Sequence, residues 1–122
     1  MRVLVVDDSS TMRRIIINTL NKLGYKDFYE ATNGREGVEC LSTTHVDLVI
    51  TDWNMPEMNG VEFIKAVRAN DQTKRLPVLM VTTNAAEADI VQALKAGVNN
   101  YVVKPFTPDT IKEKIQALLG SI

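Results

Sequence analysis

The sequence predicts an α/β fold built on a parallel sheet. Short apolar runs alternate with longer segments of helical period, the pattern of strands that cross over through helices, and the alternation continues to the end of the 122 residues. That length fits one compact domain, able to bury a continuous core without disulfide or metal staples. No internal repeat, low-complexity tract or Pro/Gly linker divides it, so a single domain over residues 1–122 is expected.

The elements follow in order. A first strand reads from Arg2 to Asp7, and in the helix after it Met12, Ile15, Ile16, Leu20 and Leu23 keep the spacing of one buried face, with Gly24 as its stop. A weaker strand passes through Phe28-Tyr29-Glu30-Ala31. Asn33, with Glu36 three residues later, offers a capping box for a short helix ending near Ser42, and Val46 to Thr51 is the third strand. After the loop from Asp52 to Asn59, a helix carrying Val61, Ile64 and Val67 reaches about Ala69. Pro77 opens the strand Val78-Leu79-Met80-Val81, where its missing donor does least harm, and Thr82-Thr83 ends it. Ile90, Ala93, Leu94 and Gly97 line one side of the fourth helix. Tyr101-Val102-Val103 forms the fifth strand, and Thr107-Pro108 caps a last helix whose face is Ile111, Ile115, Leu118 and Leu119.

Composition narrows the classes of function. With 14 Lys+Arg against 15 Asp+Glu, the net charge of -1 gives no general attraction to nucleic acid or to a membrane surface. Any charge-based function must be local. The lone Cys40 has no bridging partner and fits a helical core position, and neither a signal segment nor a long apolar stretch is present, so a reducing cytoplasm is the expected address.

The chemistry lies at the strand ends. Val3-Leu4-Val5-Val6 stops at Asp7-Asp8, and Leu48-Val49-Ile50-Thr51 stops at Asp52; if the two strands are parallel neighbours, three carboxylates meet at the sheet edge where ligand crevices form. Carboxylates roughly 5 Å apart repel by about 3 kcal/mol per pair at an effective dielectric near 20, so the cluster implies a cation. Hard oxygen ligands of this kind suit magnesium. Thr82 and Lys104 fall at the ends of the fourth and fifth strands, on the same edge. Taken singly, Asp8 and Thr82 could cap helices and Lys104 could be a solvated charge. A lysine and a hydroxyl aimed at carboxylates make joint sense where a phosphoryl group is received.

These residues resemble the receiver domains of two-component response regulators, and most closely the CheY-type single-domain chemotaxis regulators. The likeness spans the chain through Val6-Asp7-Asp8-Ser9, the block Asp52-Trp53-Asn54-Met55-Pro56-Glu57-Met58-Asn59-Gly60, Thr82-Thr83, Ala96-Gly97, and Tyr101 three residues before Lys104-Pro105-Phe106. It implies a flavodoxin-like (βα)5 domain with strand order 2-1-3-4-5 and helices on both faces. It also implies that Asp52 accepts a phosphoryl group from a phosphohistidine of a sensor histidine kinase. Mg²⁺ would be held by Asp8, Asp52 and the main-chain carbonyl of Asn54, with Asp7 acting largely through water, while Lys104 and Thr82 receive the phosphoryl oxygens. The protein would be a signalling switch rather than an enzyme, catalysing only its own phosphorylation and slow dephosphorylation.

By the same resemblance, movement of Thr82 lets Tyr101 turn inward, and a surface that includes Ala85, Ile90, Tyr101 and Lys114 binds the flagellar motor switch. Ile90 also fits the buried stripe of its helix, and Lys114 could be plain surface. Trp53 should report on its neighbour Asp52. Met12, Met55, Met58 and Met80 suit packing, and His45 is expected at the surface without a function. Asn54 and Asn84 occupy places where receivers vary in phosphoryl lifetime. A monomer is expected, with a possible phosphatase as a further partner and no nucleic-acid or membrane partner.

Four rivals compete with this reading. A haloacid-dehalogenase-type phosphatase needs a second Asp two residues after its nucleophile, yet Asn54 follows Asp52 and Ser9 follows Asp7. A flavodoxin would bring a flavin phosphate against Asp7-Asp8, which repel it. A receiver cut from a transcription factor would need an output module, and the final helix is expected to close the fold at Gly120-Ser121-Ile122. The strongest alternative is a phosphorelay intermediate that passes its phosphoryl group to a histidine phosphotransfer protein.

Overall fold

A computed structural model describes residues 1–119, and the expected closure at Gly120-Ser121-Ile122 lies outside the described residues. Its elements are β1 Arg2–Val6, α1 Ser10–Lys22, β2 Asp27–Ala31, α2 Gly34–Thr43, β3 Leu48–Thr51, α3 Gly60–Ala69, β4 Val78–Thr82, α4 Glu87–Ala96, β5 Asn100–Val103 and α5 Pro108–Leu119. All strand pairs are parallel, in the order β2-β1-β3-β4-β5.

The central strands β3 and β4, and β1 after Arg2, are buried along their length because both faces are covered, whereas the edge strand β2 carries exposed Asp27 and Glu30. On one face Leu4, Val6, Val49, Val78 and Met80 pack with Phe63, Ile64 and Val67 of α3 and Ala93 of α4. On the other, Val3, Val5, Leu48, Ile50, Leu79, Val81 and Val102 meet Ile16 and Leu20 of α1 and Ile111 and Ile115 of α5. Successive side chains along each strand alternate between these two cores.

Helix starts follow the capping residues closely. Ser9 accepts the Met12 N–H, and Asn59 with Glu62 forms a full capping box on α3, a second box beyond the one expected at Asn33. The box at Asn33 is itself altered. Asn33 does accept the Glu36 N–H, but the Glu36 carboxylate takes the N–H of Thr32 rather than that of Asn33. Thr107 Oγ1 accepts the Thr110 N–H at 3.3 Å at the start of α5.

Two faces differ from expectation. Ile15 is 44% exposed, and Thr19 is buried with its hydroxyl donating to the Ile15 carbonyl, so the inner stripe of α1 is turned away from Ile15. Leu94 is 47% exposed on α4, where Ala93 is the buried residue and Ile90 is half-buried. A helix covering the β4–β5 margin of the sheet has too little sheet beneath it to bury a wide stripe. Cys40 is half-buried against the α2–α3 core, and His45 is exposed beside Asp47.

Candidate functional site

Strand register carries four strand ends, those of β1, β3, β4 and β5, to one edge. Val6 pairs with Thr51, the N–H of Asp52 donates to the Val6 carbonyl at 2.9 Å, and the N–H of Lys104 donates to the Thr82 carbonyl at 2.8 Å. Asp7, Asp8 and Asp52 each present a carboxylate oxygen within 4.8 Å of the others. Asp7 and Asp52 are buried, whereas Asp8 is exposed at the mouth. Lys104 Nζ bridges the buried pair, donating to Asp7 Oδ2 at 2.9 Å and Asp52 Oδ2 at 3.2 Å.

The remaining oxygens of the buried pair are also fixed. Asp7 Oδ1 accepts the Ser9 N–H at 2.9 Å, and Asp52 Oδ1 accepts the Trp53 N–H at 2.6 Å. Burial nevertheless pushes the Asp7 carboxyl above its ordinary range; the Ser9 N–H and Lys104 oppose that shift, and the charge of Asp52 adds to it. One ammonium against three carboxylates leaves a net negative pocket among the described residues.

That donor set fits a hard divalent cation. Opposite oxygens around Mg²⁺ lie about 4 Å apart, close to the span of this cluster, and the exposed Asp8 and Asn54 give access from solvent. A divalent ion suits such a set better than a second ammonium because it brings two charges and takes about six oxygens, from carboxylates, carbonyls and water, in one octahedron.

The loop after Asp52 must fold back tightly. Gly60 N–H donates to the Trp53 carbonyl at 2.8 Å, and a Cβ on Gly60 would press on the Asp52 carbonyl oxygen and lie 2.8 Å from Trp53 Cα. Only glycine allows this approach. Trp53, the neighbour of Asp52 in the chain, is 9% exposed and packs in the core.

Thr82 is fully buried at the end of β4, and its Oγ1 accepts the Asn84 N–H at 3.4 Å. Tyr101 is buried, with its hydroxyl donating to the Asn84 carbonyl at 2.7 Å. Burial, then the charges of Asp89 and Asp52, push its phenol up to about 12. Ala85 is exposed in the β4–α4 loop, and Ile90 and Lys114 are half-buried on α4 and α5.

Sequence reasoning missed Arg13. Its Nη1 donates to the Asp7 carbonyl at 2.6 Å and its Nε to Glu30 Oε1 at 2.8 Å, tying α1 and β2 to the acidic edge. Nothing in residue type separates it from the exposed Arg14 beside it; only the turn of α1 does. A groove of about 670 Å³ lies at the opposite end of the sheet, where His45, Asp47, Asp71 and Lys74 already pair among themselves.

The response regulator receiver domain model matches residues 3–116 of this sequence. The chain belongs to that family. Among curated receivers, it is 56% identical over 122 residues to chemotaxis protein CheY1 of Helicobacter pylori, covering 99% of this chain and 98% of the relative. It is 50% identical to chemotaxis protein CheY of Pseudomonas aeruginosa, covering 100% and 98%. Among solved structures, CheY4 of Vibrio cholerae superposes with a TM-score of 0.88 at 38% identity, covering 96% of this chain and 97% of that one. A putative response regulator from Chloroflexus aurantiacus gives 0.91 at 30% identity, covering 97% and 96%. The receiver family, its strand order and its likeness to chemotaxis regulators therefore agree with the sequence reading.

Proposed function

We propose that this receiver is a single-domain response regulator that takes a phosphoryl group onto Asp52 from a sensor kinase phosphohistidine and, once phosphorylated, binds the flagellar motor switch. The observation that carries this reading is the Lys104 ammonium shared between Asp7 and Asp52 beside the exposed Asp8. An Asp52 oxygen forms the new bond to phosphorus as the bond from phosphorus to the imidazole nitrogen breaks. The imidazole leaves with the electron pair and takes up a proton.

This chain's residues orient that transfer. The Trp53 N–H and Lys104 hold the two oxygens of Asp52 and fix the plane of its carboxylate before attack. Lys104 then has a phosphoryl oxygen to bind in place of a carboxylate, and Thr82 has a hydroxyl to donate to another. Asp8, Asp52 and the Asn54 carbonyl would hold Mg²⁺, with Asp7 acting largely through water; when bound, the ion neutralises the repulsion between acceptor and donor oxygens.

Phosphorylation replaces one carboxylate charge with roughly two phosphate charges. Thr82 and Tyr101 carry that change to the surface containing Ala85, Ile90 and Lys114. Acetyl phosphate with Mg²⁺ should label the protein once, in an acid-stable, hydroxylamine-sensitive linkage, and Asp52→Asn should abolish the label. A label on Ser, Thr or another Asp would overturn the assignment. The chemotaxis-named relatives support the motor switch as target. A pull-down with and without a phosphoryl mimic should recover a flagellar switch component; recovery of a histidine phosphotransfer protein in its place would favour the phosphorelay.

A further inference from the structure

Asn84 is bonded to three different parts of the molecule. Its side-chain Oδ1 accepts from Asn54 Nδ2 at 2.8 Å, its main-chain carbonyl accepts the Tyr101 hydroxyl at 2.7 Å, and its N–H donates to Thr82 Oγ1 at 3.4 Å. Asn54 lies two residues after Asp52, in the loop whose path is fixed by the contact between Gly60 and Trp53. The amide pair therefore spans from the acceptor loop, after β3, to the β4–α4 loop, 30 residues apart in sequence.

The Asn84 carbonyl can receive the phenol only if its peptide plane faces β5, and few contacts fix that plane. The N–H bond to Thr82 is long. Ala86, the residue before α4, makes no side-chain capping bond, and Asn84 to Ala86 lie outside any regular element. Among the described residues, the short bonds to Asn84 are the one its side chain accepts from Asn54 and the one its carbonyl accepts from Tyr101 itself.

We propose that Asn84 is a positioning residue for Tyr101: the Asn54–Asn84 amide bond sets the β4–α4 loop so that the Asn84 carbonyl captures the Tyr101 hydroxyl, joining the acceptor loop mechanically to the switch ring. The relevance of that ring to signalling rests on the function proposed above, but the coupling itself does not. A displacement of the Asn54 loop is then felt at Tyr101 through two hydrogen bonds, a route separate from the Thr82 hydroxyl. Residue type matters at both ends. The donor must be an amide at position 54, and position 84 must offer a side-chain acceptor of asparagine length.

The test places 3-fluorotyrosine in the full chain and follows the Tyr101 ¹⁹F resonance, assigned with Tyr101→Phe, without phosphodonor. Asn84→Ala should lower the ratio of inward to outward ring about 2- to 12-fold, the range that one neutral hydrogen bond supplies. Asn54→Ala, which removes the donor, should do the same, and the double variant should add nothing further. Asn84→Asp keeps the acceptor and should keep the ring inward, a rescue that a merely structural role for the loop would not give. An unchanged ring in Asn84→Ala, additive effects in the double variant, or the same outward ring in Asn84→Asp as in Asn84→Ala would each overturn the proposal. Acetyl phosphate labelling of the same wild-type sample separates the two readings: failure to label overturns the proposed function and leaves the ring measurement standing.

Discussion

Burial holds the Asp7 carboxyl above its ordinary value of 3.8, and the direction of that shift has a sign for stability. The folded protein binds the Asp7 proton more tightly than the unfolded chain does. The stabilisation from this group is therefore complete below the ordinary value and is lost as pH rises through the raised one. Asp7→Asn should flatten that slope and leave the metal-free protein more stable than wild type at neutral pH, by more than the roughly 0.5 kcal/mol of a neutral surface change. Urea unfolding of both proteins in EDTA from about pH 4 to 7 checks this; a variant less stable than wild type at the neutral end would refute it. The residue types needed for the site were legible in the sequence. The bonds of Arg13 to the Asp7 carbonyl and of Asn54 to Asn84 were not, because hydrogen-bond partners are set by side-chain direction and not by residue type.

At the scale of elements, Arg68 ties the end of α3 to two neighbouring turns. Its guanidinium donates to the Gly97 carbonyl at 2.8 and 3.0 Å, the Lys74 carbonyl at 3.0 Å, the Leu76 carbonyl at 2.6 Å and Asn99 Oδ1 at 2.9 Å. No carboxylate is among these partners, so the cation serves as a donor fork closing the loops before β4 and β5. Arg68→Met should cost about 2–4 kcal/mol by leaving partly buried carbonyls unpaired, while Asp52 labelling persists. Loss of less than about 0.5 kcal/mol in a denaturant titration, the level of a neutral surface change, would show the fork to be incidental. Helix and strand positions followed from local periodicity, but the exposure of Ile15 and Leu94 did not. Periodicity says that a face exists, and the width of the neighbouring surface decides how much of it is covered.

For the whole molecule, the acidic edge and the two cores are thermodynamically linked. The sheet brings Asp52 onto the adjacent pair Asp7-Asp8 on folding, whereas in the unfolded chain Asp52 is free to move away from that pair, so a divalent ion should bind the folded state preferentially. At about ten times its Kd, Mg²⁺ should add about 1.4 kcal/mol, or roughly 5 °C in Tm for a domain of this size. Differential scanning calorimetry in EDTA and in millimolar Mg²⁺ measures it, with Trp53 fluorescence as a second readout. Coincident melting curves and an unmoved spectrum would count against the metal site.

By itself, the sequence determined the alternation of strands and helices, most caps, and the identity of the groups that gather at strand ends, because each is written within a few neighbouring residues. Tertiary structure decided which strand lies beside which, and so brought Lys104 onto Asp7 across 97 residues of chain. It also decided that Tyr101 rests on the carbonyl of Asn84. Such contacts depend on sheet order and loop path, and these are settled only when both faces of the sheet are covered at once.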